Sequence, residues 1–300
     1  MSTPSIKSFM EDEAEAEKKI DVKLTQWITT DGKSFVGISD TNKVIPSGVY
    51  EIGEDKSGNI VYSKLSATLN ELIELPDSVA KKIIDEIKMF WSLSAKYAKH
   101  KIMHKRGILM YGPPGGGKTA TIQFLMADII KRGGIVVKYG RPYLMARGLR
   151  ILREIEPSKP LVVIMEDIDA IIEEWCESDV LNLLDGIDRI DNAVYIATTN
   201  YPEKLGDRVI NRPSRFDKRF FVGFPSAEAR GVFLKAVAYG VKFDVKKWVA
   251  DTEEFSIAHL KELFTSVILI GDKYDDALAT LRAMKEEKAS GEGDKAKPGF

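Results

Sequence analysis

The chain has 300 residues, 44% of them hydrophobic, with 44 basic side chains against 45 acidic ones and a formal net charge of −1. That length can fill two domains, or one large one with an appendage, and the charge balance excludes bulk attraction to nucleic acid or to an anionic lipid surface. The single cysteine, Cys176, excludes an intramolecular disulfide framework, and no run approaches the roughly 18 apolar residues that span a bilayer, so the composition predicts a soluble, cytoplasmic protein with no membrane partner.

The first twenty residues are polar and acidic, with Glu11, Asp12, Glu13, Glu15 and Glu17, and lack the basic start and apolar stretch of a signal peptide. Short β-prone runs follow at 22–28, 34–38, 49–52 and 59–65, separated by the turn signals Asp31-Gly32 and Ser57-Gly58. They predict a small β-rich N-terminal domain over residues 1–75. From Ser78 the period changes: Val79, Ile83, Ile84, Ile87, Phe90, Trp91 and Tyr97 share one helical face, with Asp77 or Ser78 as the cap. His100 and His104 lie four apart, which on a helix would put both on one face as potential metal ligands. Cys176 and His259 are the only other soft ligands and neither is adjacent in sequence, so structural roles are favoured.

The strand-like run Gly107 to Tyr111 leads into Gly112-Pro113-Pro114-Gly115-Gly116-Gly117-Lys118-Thr119, which fits the phosphate-binding pattern G-x-x-x-x-G-K-[ST] at every position. Glycines let successive backbone N–H groups curl around phosphate oxygens, and the helix starting near Lys118 adds its positive end. Lys118 then reaches the β and γ phosphates and Thr119 offers a hydroxyl to Mg²⁺, so the sequence predicts a site for ATP and Mg²⁺.

Helices and strands then alternate: a helix from Lys118 to about Lys131, a strand Ile135 to Tyr139, a helix near Leu144 to Ile155, a strand Leu161 to Met165, a helix from about Ala170 to Leu184, and a strand Val194 to Thr198. Alternation of this kind predicts an α/β fold, a parallel five-stranded P-loop NTPase sheet with helices on both faces, over residues 76–225. Residues 226–285 read as an all-α lid subdomain, and 286–300, charged and glycine-bearing, as a disordered tail. The strand Leu161 to Met165 ends in Glu166-Asp167, where one carboxylate can hold Mg²⁺ and the other can orient an attacking water.

Gly107 to Thr119, Glu166-Asp167-Ile168-Asp169-Ala170, Thr198-Thr199-Asn200 and Asn211-Arg212-Pro213-Ser214-Arg215-Phe216-Asp217 together resemble the AAA ATPase family, over roughly residues 76–285. The resemblance implies a homo-oligomer, a hexameric or otherwise ring-forming motor whose active sites lie between subunits. It implies that Glu166 belongs to the Mg²⁺ shell, that Asp167 acts on the lytic water, and that Asn200 senses the γ-phosphate. It assigns Arg212 and Arg215 to the arginine-finger positions, reaching a neighbour's nucleotide. It also puts His259 in the lid wall near adenine.

Two departures from the common family pattern stand out. The order Glu166-Asp167, in place of Asp-Glu, and Leu183-Leu184-Asp185-Gly186 resemble the AAA subgroup that includes the mitochondrial chaperone for the Rieske protein. Relatives that thread peptides carry an aromatic-hydrophobic-glycine loop in a long connection before the acids, but here Gly140 to Glu166 is short and Tyr143-Leu144-Met145 is its only counterpart, with Tyr143 and Met145 equally readable as packing residues of the following helix. The same segment holds Lys138, Arg141, Arg147, Arg150 and Arg153, three of the arginines spaced by three on one helical face. These cations are either solvated, or paired across subunits, or bound to nucleic acid or an acidic protein segment. The expectation is a ring-forming ATPase that remodels a macromolecular partner, a protein in the first instance. A nucleic-acid remodeler or replication accessory ATPase, and a nucleotide-controlled assembly switch, remain the alternatives.

Overall fold

A computed structural model describes residues 26–28, 36–38, 41–66, 73–175, 177–185, 190–210, 212 and 214–286. The acidic N-terminus, Cys176, Gly186 and the tail from 287 lie outside the described residues. The chain divides into two compact units, Met1–Ile45 and Pro46–Phe300. In the first, β1 (Gln26–Ile28) pairs antiparallel with β2 (Val36–Ile38), Trp27 opposite Gly37.

The second unit is built on one seven-stranded sheet, β3 (Gly48–Glu54), β4 (Ile60–Leu65), β5 (Lys105–Tyr111), β6 (Ile135–Lys138), β7 (Leu161–Met165), β8 (Ala193–Thr199) and β9 (Lys218–Phe221), in the order β4-β3-β6-β7-β8-β5-β9. All neighbours are parallel except β3 and β4. The five parallel strands expected from the sequence form its centre and one edge. The expected boundary near Leu75 is corrected here, because β3 pairs with β6, Val49 opposite Val136 and Tyr50 opposite Val137, and brings β4 with it. The reason is burial: Val49, Tyr50 and Ile52 are core residues, and a lone hairpin could not cover them. Its turn is tied by Asp55 Oδ1, which accepts from the N–H groups of Ser57 and Asn59 at 2.8 Å each.

α1 (Ala80–Ser92) buries Ile83, Ile87 and Phe90, and α3 (Lys118–Lys131) buries Ile122, Leu125, Met126 and Ile129, against Ile108, Met110, Val136, Val162, Ile164, Val194 and Ile196 of the sheet. The period of 3.6 in each helix and the period of 2 in each strand thus meet on one face. Alternate residues Leu109, Val137, Val163 and Tyr195 are equally buried, so the opposite face is covered too. The expected long helix after Ser78 breaks at Leu93, giving α1 and α2 (Ser94–His100). Ser78 Oγ accepts from Ala80 N–H at 3.2 Å, whereas Asp77 turns away to accept from Ser226 N–H at 2.6 Å.

α4 (Pro142–Ile155) packs on β3 and β4, and Tyr62 Oη donates to the Gly148 carbonyl at 2.5 Å. A Cβ on Gly148 would come within 2.7 Å of Ile52, so the missing side chain sets how closely helix and hairpin approach. The helix expected from Ala170 to Leu184 is instead two, α5 (Ile168–Glu174) and α6 (Glu177–Asp185), because Trp175 is extended. After β8 a short turn, α7 (Asp207–Ile210), leads to β9.

The remainder is helical: α8 (Ala227–Ala238), α9 (Val245–Asp251), α10 (Ile257–Phe264), continued by a π-helical stretch Thr265–Ile270, and α11 (Tyr274–Glu286). It has its own core of Phe233, Leu234, Trp248, Phe255, Leu260, Leu263, Phe264 and Leu278. Ser226, Asp244 and Ser256 cap three of these helices, each side-chain oxygen accepting from the N–H three residues on. Among the described residues no helix is long and apolar enough to cross a membrane.

Candidate active site

The loop between β5 and α3 turns back on itself because its glycines adopt backbone angles that side chains disfavour. Gly112 has φ of 150° and a Cβ there would sit 2.2 Å from the Val222 carbonyl oxygen. Gly115 has φ of 75°, and a Cβ there would meet Ser256 Cβ at 2.7 Å. Lys118 opens α3 and is buried, its Nζ donating to the carbonyls of Gly112 at 2.7 Å and Pro113 at 2.9 Å. Burial pushes its ammonium pKa below the ordinary lysine value, while Asp167 and Asp169 pull the other way. The cation thus holds its own loop closed with bonds it can exchange for phosphate oxygens.

Asp167 stands between β7 and α5 in a left-handed conformation, φ 49° and ψ 60°. Such backbone costs about 1–3 kcal/mol in a non-glycine residue, and Asp is among the residue types that tolerate it best. Its N–H donates to Thr198 Oγ1 at 3.0 Å, which fixes the turn from the neighbouring strand. Asn200 follows β8, and its Nδ2 approaches Asp167 Oδ1 at 3.5 Å. Lys118, Thr119, Asp167, Thr198 and Asn200 line one cavity of ≈ 290 Å³, with Pro114, Gly115, Gly117 and Ala120 of the loop on one side and Ile257 and Ala258 of α10 on another. It opens at the carboxyl ends of β5, β7 and β8, where open α/β sheets bind ligands.

Thr119 presents a hard hydroxyl oxygen to this cavity, suited to Mg²⁺, which takes one or two protein oxygens and fills its shell with phosphate and water. Glu166, which the resemblance assigns to the metal, is half-buried and is not among the residues lining the cavity. No cluster of three or more His, Cys, Asp or Glu that could hold a metal occurs among the described residues.

Residues 108–224 match the family described as ATPase family associated with various cellular activities (AAA). This segment is an AAA ATPase domain. The chain is 26% identical over 274 residues to 26S proteasome regulatory subunit S10B homolog B of Arabidopsis thaliana, covering 80% of this chain and 65% of that protein. It is 29% identical to the proteasome-activating nucleotidase of Methanosarcina mazei, over 71% of this chain and 56% of the relative. A probable mitochondrial chaperone bcs1 of Schizosaccharomyces pombe is 30% identical over 64% of this chain and 45% of its own length. The alignments thus span less than two thirds of these relatives.

The arginine pair of the AAA domain does not divide as expected. Arg215 is buried and its guanidinium is taken up within its own chain, Nε and Nη2 each donating at 2.7 Å to the two oxygens of Asp185, and Nη1 donating to the Arg208 carbonyl. Arg212 is 60% exposed and touches the same carboxylate at 3.2 Å. Of the two expected fingers, Arg212 is the one whose side chain faces outward. Neither lines the cavity of its own chain.

Tyr143-Leu144-Met145 does not form a loop. Pro142 starts α4 one residue earlier, Leu144 and Met145 are core residues, and only Tyr143 is exposed. The arginine stripe on α4 is partly committed inside the chain. Arg147 Nη1 pairs with Glu54 at 3.0 Å on the β3–β4 hairpin, and Arg153 donates to the carbonyls of Glu156, Lys159 and Asn192 at 3.1, 2.7 and 2.7 Å. Burial lowers the Arg153 pKa to about 10.

His259 lies in the first turn of α10, next to the cavity-lining Ile257 and Ala258, with Nδ1 2.6 Å from the buried Ser256 Oγ. His104 is buried, stacked on Phe90 with ring centroids 3.9 Å apart, its Nε2 2.8 Å from the Phe90 carbonyl, while His100 is exposed. Sequence reasoning passed over Thr198 in the cavity wall and Asp169 and Ser256 beside it, while Ile257 and Ala258 adjoin the His259 that the resemblance puts in the lid wall. The two threonines ending an otherwise apolar β8 were the available signal, since a buried hydroxyl needs a partner.

Proposed function

We propose that the chain hydrolyses Mg-ATP, that copies act on one another's nucleotide in a ring, and that turnover remodels a protein partner. The observation that carries this reading is the cavity itself, in which Lys118, Thr119, Asp167 and Asn200 converge at the carboxyl ends of three parallel strands. Loop N–H groups and the start of α3 receive the phosphates, and Lys118 exchanges its bonds to Gly112 and Pro113 for β and γ oxygens. Asp167 accepts the proton of a water as its oxygen attacks the γ-phosphorus, and Asn200 orients that water and the phosphoryl oxygens. The bond from the γ-phosphorus to the bridging oxygen breaks, leaving ADP and phosphate. Mg²⁺, with Thr119 as direct ligand and Glu166 acting through water, would neutralise charge on the β and γ oxygens.

Among the described residues that line the cavity, Lys118 is the one cation, too little for the charge that spreads over a transferring phosphoryl group. That deficit supports a guanidinium supplied by a neighbour, and the outward-facing Arg212 is the candidate. The matched relatives are named for proteasome regulation, proteasome activation and chaperoning, which supports a protein as the partner. The test is a mixing experiment. Arg212→Ala and Asp167→Asn proteins, each nearly inactive alone, should regain part of the ATPase rate when combined, because some interfaces then join an intact arginine to an intact acid. Full activity of a verified monomer would sink the trans arrangement.

A further inference from the structure

β8 ends in two threonines, and the alternation of a strand sends their hydroxyls to opposite faces of the sheet. Both find partners around the β7–α5 junction. Thr198 Oγ1 accepts from Asp167 N–H at 3.0 Å. Thr199, fully buried, donates from Oγ1 to Asp169 Oδ1 at 2.6 Å and accepts at the same oxygen from Tyr201 N–H at 2.9 Å. Asn200 is therefore strung between two residues joined through one hydroxyl, which is itself anchored to the first turn of α5. Asp169 does not line the cavity; it is tied to it by this chain of bonds, and otherwise acts there only through the pull of its charge on Lys118.

We infer that Asp169 and Thr199 are positioning residues that set the Asn200 amide against the Asp167 carboxylate. The inference rests on the ATPase reading above. The gap of 3.5 Å between Asn200 Nδ2 and Asp167 Oδ1 is where the two groups meet over the cavity, and it is fixed from both ends: Thr198 holds the acid, and the Asp169–Thr199 pair holds the amide. Without the Thr199 hydroxyl the Tyr201 N–H loses its acceptor and the turn carrying Asn200 is free to shift. Nucleotide affinity, which comes from Lys118 and the glycine loop at the end of a different strand, has no such dependence.

The experiment measures ATP turnover and the binding of a fluorescent ATP analogue by the full chain carrying Thr199→Val, Thr199→Ser, Asp169→Ala and Asn200→Ala. Thr199→Val and Asp169→Ala should each lower kcat by about 10- to 100-fold, the loss expected when a reacting group is misplaced by about 1 Å, with analogue affinity unchanged in Thr199→Val, which alters no charge near Lys118. Thr199→Ser, which keeps the hydroxyl, should restore most of kcat. In the Asn200→Ala background, Thr199→Val should cost nothing further, because the group it positions is already gone. Equal losses from Thr199→Val with and without Asn200, or loss of analogue binding in step with kcat, would overturn the inference and leave a packing role. Wild-type kcat in Thr199→Val would overturn it as well. A wild-type chain with no ATPase activity under any assembly condition would instead fail the ATPase reading, and this inference with it.

Discussion

Arg215 and Asp185 form a fork, Nε to Oδ1 and Nη2 to Oδ2, both at 2.7 Å, with the arginine buried and the carboxylate nearly so. Two parallel charge-assisted bonds are the strongest geometry open to this pair, and they join the end of α6 to the segment just before β9. The Arg215 bonds hold the Asp185 carboxyl below its ordinary pKa of 3.8. Because the folded value is the lower one, the stabilisation is whole above 3.8 and is lost as pH falls through the folded value. Removing one partner strands the other, so Asp185→Asn should destabilise the fold by about 3 kcal/mol in denaturant unfolding. A change well under 1 kcal/mol would show that the fork is not a structural tie.

Arg212 offers the contrast. Its side chain is exposed, so Arg212→Ala should leave the unfolding midpoint unchanged while lowering ATPase activity about 10³-fold or more in assembled protein. Arg215→Ala should instead lose stability first. A stable Arg215→Ala protein with normal nucleotide affinity and no turnover would return Arg215 to the role of a finger.

At the nucleotide, the division of labour between Lys118 and Asp167 predicts different failures. Lys118→Ala should abolish ATP binding, since the cavity then holds no cation among its described lining residues. Asp167→Asn should keep binding and slow hydrolysis by about 10² or more, because the amide cannot take the water's proton. Single-turnover measurements separate the two, and normal turnover in Asp167→Asn would mean that the acid acting on water is Glu166.

The elements around this chemistry were legible because local rules set them. α3 begins at Lys118 and ends at Lys131 as the sequence predicts, and β7 runs from Leu161 to Met165, bounded by Pro160 and the acids. What was not legible depends on partners far along the chain. β3 and β4 read as pieces of a separate domain because nothing local announces that Val49 pairs with Val136. Arg215 reads as a finger for a neighbour's nucleotide until Asp185 is beside it. Met145 and Tyr143 read as a pair until the start of α4 at Pro142 buries one and exposes the other. The cavity was legible where a motif has fixed spacing, and only through the family resemblance at α10, where Ile257 and Ala258 close it beside His259.

His259 gives a pH dependence with a definite sign. Burial lowers its pKa below 6.5, and the nearby Lys285 lowers it further. The unfolded chain therefore takes up this proton more readily, so the stability tied to the neutral ring is whole above pH 6.5 and is lost as pH falls from there toward the depressed folded value. Because Ser256 stands where a Cβ on Gly115 of the phosphate loop would meet it at 2.7 Å, nucleotide affinity should weaken over the same range. His259→Gln should flatten both profiles below 6.5, measured by thermal unfolding and by titration with an ATP analogue. An unchanged profile would assign the acid sensitivity to other groups.

The α4 stripe separates the protein and nucleic-acid readings. Arg153 satisfies the carbonyls of Glu156, Lys159 and Asn192, so Arg153→Gln should cost about 1–3 kcal/mol of stability. Arg147 makes a half-exposed pair with Glu54, and Arg147→Gln should cost well under 1 kcal/mol. With these two guanidinium groups engaged in the chain, wild-type protein should show no tight, salt-sensitive binding of single- or double-stranded DNA or of RNA in anisotropy titrations. If such binding appeared, fell steeply with salt, and vanished in Arg147→Gln without a loss of stability, the stripe would be a phosphate-contacting surface and the partner a nucleic acid.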